Sequence, residues 1–259
     1  MLYKLCAELI TQENDITERN TYEQVFIVDL ITKDEKSAVF YDEELKVHVR
    51  HPLGVRFTYE IELKDIRLNL CPRVKKSEDF HRKLLYRYDW VRPKVNGWGN
   101  IVSIENKEEL EQRWGRLRNK ILVDYTGKRV ENYMNKIDLE FSSDTVVHSA
   151  FTQYLHFGLL FLNIPLSHRN DWTRKRTVQF SSYKGEEFEE RLTYQSSKDG
   201  VMYYGIEGDC LADSSTHVQQ YSGSVVRNEG DLFPQKVEIS TITEKKQITT
   251  KWNFTLYKI

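Results

Sequence analysis

The 259-residue chain is poor in the residues that break or staple a fold. Its 12 glycines and 5 prolines are scarce for this length, which excludes collagen-like, linker-rich and disordered classes. The three cysteines, Cys6, Cys71 and Cys210, lie far apart, with no C-x-x-C pair and no histidine at a ligand spacing. That pattern fits ordinary thiols in a reducing compartment rather than a disulfide framework. An excess of either charge is missing too: 38 basic against 39 acidic side chains leave a net charge of −1, so nothing pulls the whole chain toward nucleic acid or anionic membrane. Long apolar runs are also absent. The most apolar stretch, Leu155 to Leu162, carries His156 and falls far short of the roughly 20 residues a membrane helix needs. Met1 to Ile10 is interrupted by Glu8 and does not read as a signal-peptide core. The expectation is a cytoplasmic protein without membrane insertion.

Motifs that hold cofactors or nucleophiles are lacking as well. There is no P-loop, no G-x-G-x-x-G and no G-x-S-x-G; Gly97-Trp98-Gly99 lacks the third glycine and reads as turn chemistry. No cofactor and no metal are expected. The seven histidines include His48 and His51, three apart, and His148 and His156, eight apart, but no carboxylate or thiol completes a ligand set beside them.

What is present is a chain able to form a core, 39% hydrophobic and 12% aromatic. Its apolar period changes twice. Up to about residue 95 it is mostly two: Val55, Phe57, Tyr59, Ile61 and Leu63 alternate with charged or polar partners, as in a strand with one wet face. After Lys64-Asp65 the apolar set moves to Ile66, Leu68 and Leu70, which requires a bulge or tight turn there. Leu84, Tyr86, Tyr88 and Trp90 read as a further strand, and Asn96 to Asn100 as a turn into a short strand, Ile101 to Ile104.

From Asn106 the period is helical. Leu110, Trp114, Leu117, Ile121 and Tyr125 form one stripe, with Asn106 as N-cap and Gly127 as the stop. Gly115, in the middle, suggests close packing against another element. Val130, Tyr133, Met134, Ile137 and Phe141 mark a second helix, and Ser143 to Asn163 a third whose end is apolar all round. Beyond about 174 the period returns to two. With five to six strands on each side, the order is strands 1–105, helices 106–164 and strands 174–259, with no βαβ alternation. We therefore expect an α+β fold in a single domain over 1–259: a large curved antiparallel sheet, half-barrel-like, with three central helices packed on its concave face.

Three groups of side chains are candidates for function. The segment Arg73 to Lys94 holds eight basic against three acidic side chains, with aromatics interleaved. Lys75, Lys76, Arg82 and Lys83 are the candidate polyanion contacts, although the alternation of ring and charge argues for a wet charged face and against a nucleic-acid partner. A second basic group, Arg169, Arg174, Lys175 and Arg176 around Trp172, has the make-up of an interaction surface, and Trp98 joins it as a candidate. Glu186, Glu187, Glu189 and Glu190 form an acidic cluster that reads as a solvated strand face.

The stretch Gly99 to Leu110, followed by Arg113-Trp114 and Tyr125-Thr126-Gly127, resembles a family of uncharacterised bacterial proteins. In these a G-x-I-x-x-I-x-N-x-x-E strand-to-helix junction precedes an R-W helix, a Y-x-G stop and two further helices. The overall plan resembles, more loosely, the half-barrel of lipoprotein-carrier-type proteins, which are exported proteins. The functional expectation is a non-catalytic binding protein that engages a partner protein or a lipid-like, apolar ligand between helices and sheet. The alternatives are an enzyme of unknown reaction with a site assembled across the sheet and, third, nucleic-acid binding through residues 73–94.

Overall fold

The structure is a computed structural model that describes residues 18–31, 37–51, 58–72, 75–97, 99–142, 151–154, 156–166, 171–180, 187–211, 216–245 and 248–259. Three strands, β1 (Glu18–Ile31), β2 (Ser37–His51) and β3 (Glu60–Leu70), run as a meander out to the short edge strand β4 (Trp90–Val91). Six more run from the other edge back toward β1: β7 (Thr173–Gln179), β8 (Glu187–Lys198), β9 (Val201–Cys210), β10 (His217–Asn228), β11 (Lys236–Lys245) and β12 (Ile248–Lys258). β12 pairs with β1, so the two meanders fuse into one 10-stranded antiparallel sheet, β4-β3-β2-β1-β12-β11-β10-β9-β8-β7. The sheet does not close into a barrel, since β4 and β7 do not pair.

The alternation forecast by the sequence is what buries one face. Tyr22, Gln24, Phe26 and Val28 of β1 are buried, as are Leu45, Val47 and Val49 of β2 and Phe188, Glu190 and Leu192 of β8. In β3 the buried set passes from Ile61 and Leu63 to Ile66, Leu68 and Leu70, with Lys64 and Asp65 exposed between them. Lys46 pairs with Asp65 and Val47 with Leu63, so Lys64 is the extra residue of a bulge. This is the device the change of parity demanded.

Topology explains why the middle of the chain lies across the sheet. Residues between β4 and β7 must travel from one edge of ten strands to the other, roughly 43 Å at about 4.8 Å per interval. The connection contains a two-stranded sheet, β5 (Pro93–Val95) with β6 (Ile101–Ile104), then α2 (Lys107–Asp124) and α3 (Lys128–Ser142). The remaining helix, α1 (Glu78–Leu85), precedes β4 and packs on β3. The fold is thus α+β, with a large open antiparallel sheet and three helices.

Two helical assignments differ from expectation. Residues 84–90, read as a strand from Leu84, Tyr86, Tyr88 and Trp90, instead hold the end of α1 and a 3₁₀ turn (Tyr86–Tyr88), and of the four only Trp90 lies in a strand. Phe80, Leu84, Leu85 and Tyr88 are buried at helical spacing, while Tyr86 is 36% exposed. Glu78 and Asp79 in the first turn and Arg82 and Lys83 in the last suit the helix dipole, and this outweighs a short coincidental alternation. The third predicted helix begins on residues outside those described (143–150); 151 and 152 are helical, but from Gln153 onward the chain turns and then extends. Its all-round apolar character is nevertheless explained. Phe157, Leu159, Leu160, Phe161, Leu162 and Ile164 are each at most 3% exposed, because this segment is sandwiched between the sheet and the helices. Tyr154 packs on Phe254 of β12 on one side, and His156 packs on Tyr88, which meets Phe141 of α3, on the other.

The junction residues that carry the sequence likeness have definite structural work. Gly99 adopts φ +74°, and a Cβ there would lie 2.9 Å from the Ile164 carbonyl oxygen, so the loop can dock on the 151–165 segment only with glycine. Asn106 occupies the N-cap position of α2 without capping it. Its Oδ1 instead accepts the Arg92 amide (2.8 Å) and its Nδ2 donates to the Trp90 carbonyl (3.1 Å), which pins the helix start to β4. Gly115 departs from expectation in the opposite sense: a Cβ added there meets nothing within 4 Å. Close packing therefore does not require glycine, and Gly115→Ala should raise stability by about 1 kcal/mol through helix propensity. Urea unfolding checks this; a lower midpoint would contradict it.

Candidate functional site

Among the predicted interaction residues, Trp98 and Arg169 lie outside the described residues. The others sit on or beside the edge strand β7. Lys175 points to solvent and pairs with Glu189 of β8 at 2.5 Å. Trp172 is half-buried and meets the Tyr204 ring edge-on at 5.9 Å. Arg174 and Arg176 turn inward, onto the 151–165 segment. Arg174 donates to the Asn163 carbonyl (3.0 Å) and to Asn100 Oδ1 (2.7 Å). Arg176 donates to the carbonyls of Gly158 (3.2 Å) and Phe161 (2.9 Å) and to the Tyr154 hydroxyl (3.1 Å).

A third arginine, Arg227 of β10, completes this grip. It is fully buried and donates to the carbonyls of Ile164 and Pro165, both at 3.0 Å, and to the Tyr204 hydroxyl at 3.1 Å. Turns within this segment satisfy the carbonyls of Gln153 and Phe157, but those of Gly158, Phe161, Asn163, Ile164 and Pro165 have no ladder to pair with, and a buried unpaired carbonyl costs about 1–3 kcal/mol. The three arginines supply those partners.

Glu190 is the acidic member of the same cluster. Of the acidic group read as a solvated face, Glu187 and Glu189 are exposed, Glu186 lies outside the described residues, and Glu190 is completely buried. Its Oε1 accepts from Arg176 Nε at 2.7 Å and its Oε2 from the Tyr221 hydroxyl at 2.8 Å. Each oxygen has a donor, as a carboxylate requires. Burial opposes this charge, pushing the Glu190 carboxyl up to about 8 and the Arg176 guanidinium down to about 10. Tyr221 reaches Glu190 by lying across Gly208, the cross-strand neighbour of Glu190; a Cβ at 208 would come within 2.7 Å of that ring. Sequence reasoning missed Glu190 and Arg227, yet both carry a signal: each falls on the apolar parity of its strand.

Of the candidate polyanion contacts, three are neutralised by carboxylates. Lys75 pairs with Glu78 (2.5 Å), Arg82 with Asp79 (2.7 Å), and Lys83 with Asp79 (3.0 Å) and Asp124 (3.1 Å). Lys76 is exposed. Of the aromatics interleaved in this segment, Phe80 and Tyr88 face the core and are closed to stacking.

An open site exists at one end of the sheet. The start of β1 and the ends of β2 and β12 meet there beneath the connection between β10 and β11, and enclose a cavity of about 250 Å³. Tyr22, Val49, Leu232 and Phe233 contribute apolar wall, and the His51 ring stacks on Tyr59 at 4.8 Å. Tyr59 in turn meets Phe233 edge-on at 5.0 Å. Phe233 also packs on Phe161, which ties the cavity to the crossing segment. Asn20, Asp231 and Lys258 stand among these rings. Asp231 Oδ2 accepts from the side-chain amides of Asn228 and Gln235, and neither Asp231 nor Lys258 forms an ion pair among the described residues.

The strongly displaced titratable groups lie elsewhere. His156 is buried, with no hydrogen-bond partner at Nε2 among the described residues, and burial together with Arg87 holds its pKa well below the ordinary range. Among the described residues no group of three or more His, Cys, Asp or Glu side chains could hold a metal ion, and no helix is long and apolar enough to cross a membrane. Cys71 and Cys210 are half-buried.

No protein-family model matches the chain, and a search of curated proteins returns no match. Among solved structures, one described as lipid–protein interactions in lipovitellin is similar at a TM-score of 0.43 with 9% sequence identity. The likeness covers 94% of this chain and 25% of that one, so the chain spans about a quarter of its structural neighbour.

Proposed function

We propose that the chain is a non-catalytic binding protein whose ligand occupies the cavity between β1, β2, β12 and the β10–β11 connection. The ligand class is an apolar, ring-sized group that carries charge. The observation that supports this reading is the cavity's make-up: an aromatic lining beside an ammonium and a carboxylate that form no ion pair among the described residues. Pockets of this kind bury an apolar body and orient it through a few polar groups. The space between helices and sheet, where the sequence places a ligand, is taken by residues 156–165. The enzyme alternative calls for a displaced acid or base on a cavity wall, whereas His156 and Glu190 are sealed in the core.

The test uses anilinonaphthalene sulfonate, an aromatic anion whose fluorescence rises in apolar surroundings. The expected result is saturable binding at a single site, abolished by Leu232→Trp, which fills the cavity. Lys258→Gln should weaken it about tenfold by removing the ammonium that faces the sulfonate. Fluorescence that does not saturate, or that both variants leave unchanged, would overturn the proposal.

A further inference from the structure

We infer a second site, independent of the first: the groove between α2 and the 3₁₀ turn of residues 86–88 binds a phosphate group. The groove encloses about 240 Å³, and four cations line it, Arg87, Arg113, Arg116 and Lys120, against the single carboxylate of Asp89.

Two of these cations are fixed in place. Arg113 forms an ion pair with Asp89 and lies over the Trp90 ring at 5.8 Å. Arg87 is held by Glu140 at 3.2 Å and by the Leu84 carbonyl at 3.1 Å. A guanidinium already oriented loses little freedom when it binds an anion, and its planar set of N–H groups matches phosphate oxygens.

The other two are free. Arg116 and Lys120 stand one helical turn apart on α2, exposed, and neither forms an ion pair among the described residues. Like charges four apart on a helix repel each other. Neighbouring cations on the helices are matched differently: Arg118 pairs with Asp138 at 3.0 Å, Arg82 with Asp79 at 2.7 Å and Lys83 with Asp124 at 3.1 Å. Asp138, Asp79 and Asp124 are therefore engaged beside the groove, and Asp89 inside it is already engaged by Arg113. An anion with several oxygens is what the groove lacks.

The aromatic surroundings decide between a phosphate group and a nucleic-acid strand. Tyr88 and Trp114 are buried, and among the described residues Tyr86, 36% exposed, is the one ring that lines the groove. A strand would need successive stacking rings; a phosphate ester needs only the cations. Free phosphate esters and phosphate-bearing lipid headgroups share this chemistry.

The test is an amide-resolved NMR titration of the full chain with inorganic phosphate, with ionic strength held constant by chloride. Saturable shifts at Arg113, Arg116 and Lys120 are expected, with affinity at least tenfold weaker in Arg116→Gln/Lys120→Gln. These side chains are exposed, so the double variant should keep its circular-dichroism spectrum. A response that does not saturate, or that the double variant retains in full, overturns the inference. Co-sedimentation with phosphatidylcholine vesicles containing phosphatidic acid then separates the sources. Binding lost in the double variant identifies a lipid headgroup, whereas saturation by phosphate without vesicle binding identifies a soluble ester.

Discussion

Arg176→Met is expected to cost about 3–5 kcal/mol, a large part of the stability of an ordinary domain. The change removes the Nε donor of Glu190 and leaves a fully buried carboxylate with Tyr221 as its remaining donor among the described residues. It also strips donors from the carbonyls of Gly158 and Phe161. Most of the loss comes from the uncompensated charge, since replacing both members of such a pair is commonly far milder than removing one. Arg176→Met/Glu190→Gln should therefore recover a substantial share of it. The pH dependence has a definite sign. Burial raises the Glu190 pKa from 4.5 in the unfolded chain toward about 8 in the folded one. Between those values the folded state binds more protons, so the contribution of Glu190 is most favourable below about 4.5 and is lost as pH rises toward 8. The stability gap between the single and the double variant should thus widen from about pH 5 to about pH 8. Urea midpoints at the two values measure it; a gap independent of pH would place the cost in the lost carbonyl bonds alone.

The sheet was legible in the sequence wherever a strand has one wet face. Parity located the bulge at Lys64 because a change of face has no other cheap cause, and the two apolar stripes located α2 and α3 through Leu110, Trp114, Ile121, Met134, Ile137 and Phe141. Legibility ended where both faces are covered. Residues 84–90 satisfy period two and period 3.6 together, and only the position of Phe80 and the charges of the first turn separate them. For residues 157–162 no period exists: every direction is buried, so sequence alone does not distinguish a helix from a turn held by arginines.

Less of the candidate sites could be read. A run of charges reads as exposure, yet in Arg174–Arg176 and Glu187–Glu190 the side chains alternate between solvent and interior. Lys175 and Glu189 pair in water; one residue along, Arg176 and Glu190 pair in the core. The parity rule that placed Phe188 and Leu192 inside applies equally to Glu190, and an acid on that parity announces a buried partner. The cavity beside His51 and the groove beside Arg116 unite residues more than a hundred positions apart or from separate elements, and only the pairing of β1 with β12 and the packing of α2 on residues 86–88 bring them together.

Trp114→Ala is expected to cost about 3–5 kcal/mol. Trp114 is 3% exposed, and its ring lies parallel to that of Phe141 with centroids 5.7 Å apart, so truncation opens a cavity at the centre of the helical layer. Phe141 also stacks on Tyr88, and Tyr88 meets His156, so the loss touches the chain of rings that couples helices to crossing segment. The indole N–H contributes less. It donates to Asp138 Oδ1 at 2.7 Å, but Asp138 keeps Arg118 at its other oxygen and is 39% exposed, so water can replace the missing donor. Trp114→Phe should consequently cost about 1–2 kcal/mol, retaining the stack and much of the volume. Urea unfolding of the two variants separates the roles. A loss below about 1 kcal/mol for Trp114→Ala would mean that α2 presents another face to the core, and equal losses for the two variants would assign the anchor to the hydrogen bond rather than to packing.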